Sequence, residues 1–170
     1  YTEAEVAAAK KHYDSLSEAD KKRIEENILL ALPGEKEHFT YEKIRKLLDQ
    51  YQHVDRVQLK QNLDYFLSAI LPTAEEWGLQ LAIHPDDPPY SILGLPRIMS
   101  TAADVAAMVA ANPSPANGLC FCTGSFGARP DNDIPAMLKQ WSDRVFFLYL
   151  RNTARDDQGN FFEAPHLEGS

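Results

Sequence analysis

A chain of 170 residues with 44% hydrophobic and 25% charged content has the length of one domain and the composition of a globular protein with a sizeable core. Its formal net charge of −8 argues against nucleic acid as the main partner, because phosphate binding needs clustered, uncompensated Lys and Arg. Lys10, Lys11, Lys21, Lys22 and Arg23 do cluster, but acids interleave them, so they read as a solvated helix face.

No apolar run approaches a membrane span, and the opening residues lack the apolar core of a signal peptide, so no membrane partner is expected. The only cysteines are Cys120 and Cys122, two apart in a strand-like run and poorly spaced for a disulfide. A reducing, cytoplasmic setting is the expectation.

The first 78 residues read as helical throughout. Thr2 with Glu5, and Ser17 with Asp20, resemble capping boxes. The second helix is expected to run to about Leu32 and stop at Pro33-Gly34. Thr40 should cap a third helix reaching Tyr51. Asp55 should cap a fourth, with Leu59, Leu63, Phe66, Leu67, Ile70 and Leu71 at helical spacing. Pro72 should kink that helix and Gly78 end it. His12, His38 and His53 lie in this half and read as surface residues.

The pattern changes after Gly78, which is taken as the boundary between a helical segment, 1–78, and a β/α segment, 79–170. Residues 79–84, 119–122 and 145–150 read as strands, and 100–111 and 133–141 as helices. Strands alternating with helices predict an α/β fold with a parallel sheet. Alternation along the strands then sorts the faces. Ile83, Phe121, Leu148 and Leu150 should pack under helices. His84, Cys122, Tyr149 and Arg151 share the other, mixed face, at or near the carboxyl ends of their strands, where α/β folds build sites.

His84 and Cys122 are the pair with metal-binding chemistry, imidazole and thiolate suiting a borderline divalent ion. Their separation defines no known site. Each also has a structural reading: His84 as a hydrogen-bonded strand end, Cys122 as a small core residue. The loop HPDDPP is stiffened by its prolines and holds Asp86 and Asp87 near the strand end, either at the site or as an acidic turn. The loop CTGSFGARPDND offers Thr123, Ser125 and backbone N–H groups to sugar hydroxyls or a carboxylate, with Gly124 and Gly127 allowing close approach. Arg151 suits a carboxylate clamp or a structural ion pair. His166, in EAPHLEGS, is either substrate-facing or merely exposed. No serine-protease order, CxxC pair, Walker loop or HExxH is present.

The segments AIHPDDPPYSILGLPRIMST, CTGSFGARPDNDIPAML and LRNTARDDQGNFFEAPHLEGS together resemble mannonate dehydratase, the lyase of hexuronate breakdown. The helical half resembles it too, in YTEAE, SLSEADKKRIEENILLALPGE and YFLSAILPTAEEWG, so the likeness covers essentially the whole chain. The resemblance implies part of a TIM-type (β/α) barrel of the xylose-isomerase-like class, with about three parallel strands preceded by an all-helical insertion. It implies dehydration of D-mannonate to 2-keto-3-deoxy-D-gluconate, with Mn2+ or another divalent metal such as Fe2+. The C2 proton would be removed and the C3 hydroxyl expelled, with the metal neutralising charge on the carboxylate and the developing enolate.

Matched by position, His84 corresponds to the family's first histidine ligand and Cys122 to its cysteine ligand. Arg151 corresponds to a substrate-facing arginine and His166 to the histidine of an HLxG loop. Asp86 and Ser125 are taken as further substrate-binding residues. Tyr90 stands where many members have an arginine. The family's second histidine ligand falls at position 149, where this chain has Tyr149. The family's opening strands and its terminal Asp-His segment, which carries a further ligand and the acid/base pair, have no match among these residues. The resemblance therefore leaves three functional expectations: a dehydratase incomplete in these residues alone, a catalytically inactive module that binds a partner or self-associates, and a related sugar isomerase or epimerase. Either of the first two implies a homo-oligomer or pairing with the rest of a barrel.

Overall fold

A computed structural model describes residues 2–30, 40–157 and 159–169. The chain divides into two compact units, Tyr1–His53 and Val54–Ser170. The change from helices to alternating strands and helices comes near Gly78, as the sequence pattern predicts, yet the division into units comes 24 positions (78 − 54) earlier. The fourth helix belongs with the sheet because its apolar stripe supplies part of the sheet's core.

The first unit holds α1 (Glu3–Ser15), α2 (Glu18–Leu30) and α3 (Tyr41–Tyr51). Thr2 and Glu5 form the predicted capping box, each side chain meeting the other's backbone N–H. At α2, Ser17 Oγ accepts from Asp20 N at 3.1 Å and donates to the Asp20 carboxylate. Thr40 caps α3 through Lys43 N. His12 and His53 are exposed, as expected. The expected stop at Pro33-Gly34 and the expected surface position of His38 lie outside the described residues.

The second unit begins with α4 (Arg56–Glu76), capped by Asp55 and running through Pro72. Gly78, at φ +62°, takes the left-handed conformation that turns the chain out of the helix at least cost to glycine. Then follow β1 (Leu81–Ile83), α5 (Ala102–Ala111), β2 (Asn117–Cys122), α6 (Thr123–Gly127), α7 (Ile134–Gln140) and β3 (Val145–Tyr149). Two further strands, β4 (Thr153–Arg155) and β5 (Phe161–Glu163), form an antiparallel hairpin. Neither α6 nor this hairpin was expected from the sequence: the α6 segment read as a loop, and 153–163 was assigned no element.

The sheet has the order β1-β2-β3 and is parallel throughout. One of its faces is the core. Leu119 and Phe121 of β2 are fully buried there against Leu67 and Leu71 of α4, Val105 and Met108 of α5, Phe126 of α6 and Met137 of α7. Ile83 and Val145 join the edge of this cluster. Leu148 and Leu150 do not: both are exposed, against the expectation that they pack under helices. Among the described residues β3 lies at one end of the strand order, and the apolar cluster reaches only its first residue, Val145. Among the described residues no helix is long and apolar enough to cross a membrane.

Candidate functional site

The register of β2 and β3 sets Cys122 beside Tyr149, the last paired residues of those strands. On the other side, Ile83 pairs with Leu119, so the next residue, His84, comes level with Cys120 on the face that also carries Cys122. The His84 and Tyr149 rings are 6.3 Å apart between centroids. Arg151 follows β3 and turns back: its Cζ lies 5.8 Å from the Tyr149 ring and its Nη1 lies 4.0 Å from Cys122 Sγ. The four residues assigned to one face by alternation therefore do meet at the carboxyl ends of three adjacent parallel strands.

Each is oriented by its neighbours. His84 is exposed, and its Nδ1 lies 2.7 Å from the Pro85 carbonyl. A carbonyl only accepts, so Nδ1 carries a proton, and in the neutral imidazole Nε2 then keeps its lone pair. Cys122 is fully buried and caps α6, its sulfur accepting from Ser125 N at 3.4 Å and Ser125 Oγ at 3.2 Å. Burial pushes the thiol of its strand neighbour Cys120 up, with a further contribution from Cys122. Thr123 ties the ends of β2 and β3 together: its hydroxyl donates to the Arg151 carbonyl and accepts from Arg151 N at 3.0 Å.

The structure reassigns several of the other candidates. Asp86 braces its own loop: Oδ2 accepts from Ile98 N at 2.9 Å, Met99 N at 2.6 Å and Ser100 Oγ at 2.8 Å. With three donors on one oxygen it anchors the loop. Ser125 is 1% exposed and its hydroxyl is given to the sulfur, so it supports Cys122 instead of facing a ligand. The acid that reaches the strand ends is Asp87, whose carboxylate pairs with Arg151; Glu163 of β5 holds the guanidinium's other edge, 2.7 Å from Nε. Burial works against the Arg151 charge, but Asp87 first and then Glu163 hold its pKa well above the usual guanidinium value. Glu163 was missed in the sequence because it lies in a hairpin that the apolar pattern did not reveal. His166 is exposed in a loop fastened by Asn152, which donates to the Pro165 carbonyl at 2.6 Å. Tyr90 packs on Phe161 at 5.7 Å and donates to the Ala128 carbonyl, away from the strand ends.

His84 and Cys122 supply a bare imidazole nitrogen and a sulfur, two donors suited to a divalent ion. Tyr149 beside them offers a phenol oxygen, a poor substitute for imidazole nitrogen. Among the described residues no group of three or more His, Cys, Asp or Glu is placed to hold a metal ion. These residues thus fit two positions of a metal site and not a whole one.

Residues 3–170 match the family D-mannonate dehydratase (UxuA). Mannonate dehydratase of Marinomonas sp. (strain MWYL1) is 46% identical over 170 residues, covering 99% of this chain and 44% of the relative. That of Brucella melitensis biotype 2 is 46% identical over 171 residues, again 99% of this chain and 43% of the relative. The crystal structure of mannonate dehydratase from Streptococcus suis serotype 2 superposes with a TM-score of 0.65 at 42% identity, covering 68% of this chain and 34% of that one. The chain spans a little under half the length of the curated relatives it matches. It belongs to the D-mannonate dehydratase (UxuA) family.

Proposed function

We propose that the chain is the central part of a D-mannonate dehydratase, a carbon–oxygen lyase that converts D-mannonate to 2-keto-3-deoxy-D-gluconate in hexuronate catabolism, and that its sheet is a sector of a TIM-type barrel. The observation that carries this reading is the meeting of His84, Cys122, Tyr149 and Arg151 at adjacent strand ends in a chain 46% identical to a mannonate dehydratase over 99% of its length. Mn2+ or Fe2+ would take His84 Nε2 and Cys122 Sγ as two ligands, the others coming from outside the described residues. The guanidinium of Arg151 would meet the sugar acid's carboxylate, and His166 would act only if its loop closes over the strand ends. The natural gene product, supplied with Mn2+ and D-mannonate, should release the 2-keto acid; no keto acid with a folded, metal-loaded protein would end this reading.

A second reading is an inactive module that self-associates. Tyr149 at the ligand position, the exposed Phe147 and Leu148 of β3 and the exposed Leu150 just after it favour it. Stoichiometric metal in the purified protein, measured by atomic emission, separates the two: the dehydratase reading requires it and the module does not. The isomerase or epimerase alternative has only the shared barrel class behind it, and the specific match of 3–170 to the dehydratase family weighs against it.

A further inference from the structure

Arg151 is fixed along its whole length. Its backbone is held by Thr123 in both directions. Its stem lies against Gly124, where an added Cβ would fall 2.6 Å from Arg151 Cβ and 3.0 Å from Nε. A residue with any side chain at 124 would push the arginine out of this seat. Its guanidinium gives Nη1 to Asp87 and both Nε and Nη2 to Glu163.

Ion pairs this open to solvent contribute little to stability, since Asp87 is 40% and Glu163 65% exposed at the side chain. Two carboxylates on one guanidinium do more to set its direction than to hold the fold. Of its five N–H groups, three are committed to Asp87 and Glu163 and the second one of Nη1 is directed at Cys122 Sγ at 4.0 Å, leaving one on Nη2. That N–H can donate to one oxygen of a carboxylate or hydroxyl. It lies on the side chain that passes beside Cys122 Sγ and the Tyr149 ring.

We propose that Asp87 is a positioning residue: with Glu163 and the Gly124 seat, it aims the Arg151 guanidinium so that its remaining Nη2 N–H receives the carboxylate of a sugar acid. The sugar-acid part rests on the dehydratase reading; the clamp itself does not. Asp87 acts through Arg151 and touches no reacting atom.

The test uses the full natural protein and two readouts. The first is hydrogen exchange at Arg151 Nε–H, followed by nitrogen-15 NMR without substrate. It should be slow in the parent and about tenfold faster in Asp87→Asn. The second is steady-state kinetics with D-mannonate. Asp87→Asn should raise KM about tenfold with little change in kcat, Asp87→Glu should recover part of the loss, and Asp87→Asn should add nothing in an Arg151→Lys background. If Asp87→Asn fails to fold by circular dichroism, Glu163→Gln carries the same two readouts. Parent-like exchange and KM in Asp87→Asn would overturn the proposal, as would an equal effect of Asp87→Asn when Arg151 is already lysine. A parent that turns over no D-mannonate would remove the dehydratase reading instead. The exchange measurement would still decide the clamp, fast exchange in the parent overturning it and slow exchange lost in Asp87→Asn supporting it.

Discussion

Cys122 and His84 present their donor atoms in opposite ways. The sulfur is sealed at 0% exposure under two hydrogen bonds from Ser125, whereas the imidazole stands open with only Nδ1 engaged. Tyr149, beside both, decides whether the pair becomes a metal site. In the natural protein, Tyr149→His should raise Mn2+ or Co2+ affinity by about tenfold or more, read by isothermal titration, because imidazole nitrogen is a better ligand for these ions than a phenol oxygen. Unchanged affinity would mean that position 149 does not face the ion. Asp86→Asn should destabilise the protein by about 2 kcal/mol in urea unfolding, since one charged oxygen serves three donors of the loop 98–100. Asp86 and Asp87 also show where the sequence stops being informative. Two adjacent acids in a proline-rich loop look alike along the chain. Which one reaches the strand ends is set by backbone N–H groups that arrive at Ile98 and Met99, 12 and 13 positions later.

Among the elements, α4 and α5 are joined by one buried carboxylate. Asp104 is 2% exposed, takes Thr101 as its helix-capping partner, and receives Arg56 and Lys60 from α4, Lys60 at 2.7 Å. Burial alone would raise its pKa, but the hydrogen bonds from Lys60 and Arg56, and then Thr101 and Ser100, hold it below the ordinary value of 3.8. A carboxyl whose folded pKa is depressed contributes stability that is complete above its unfolded pKa and is lost as pH falls through the lower folded value. Acid titration of the unfolding free energy should therefore show a loss beginning near pH 4. In Asp104→Asn that loss should be smaller, and neutral-pH stability should already be lower by about 2 kcal/mol. Caps at Thr2, Thr40, Asp55 and Thr101 were all legible because each is a local pattern of a short polar residue three positions before its backbone partner. Helix α6 was not, because TGSFG has two glycines and no apolar period, and a sulfur rather than an oxygen caps it. The β4–β5 hairpin was missed because its strands have three residues each, too few for alternation to register.

At the scale of the molecule, the sheet has one covered face and an uncovered stretch. Phe147 and Leu150 are each 59% exposed, with Leu148 and Tyr149 between them. A parallel strand at the end of its sheet, carrying consecutive exposed apolar side chains, is a surface prepared for another chain segment or another copy. Leu150→Lys should lower self-association in sedimentation velocity while changing unfolding free energy by less than about 0.5 kcal/mol, because little packing is lost. Association equal to the parent's would place the contact elsewhere. This stretch explains why apolar pattern alone misplaced Leu148 and Leu150. The pattern reports that a strand is suited to burial on both faces, and it says nothing about which neighbours cover it.

The strand order β1-β2-β3 follows the chain order, and each strand adds to the outer side of the one before. As the chain is synthesised, each later strand of this sheet emerges after the neighbour it pairs with. Arg151 differs, because its two carboxylate partners lie on opposite sides of it along the chain. Asp87 comes 64 residues before it, but Glu163 follows it by 12 and belongs to the hairpin. The full set of contacts on the guanidinium thus requires the polypeptide to have continued through β4 and β5.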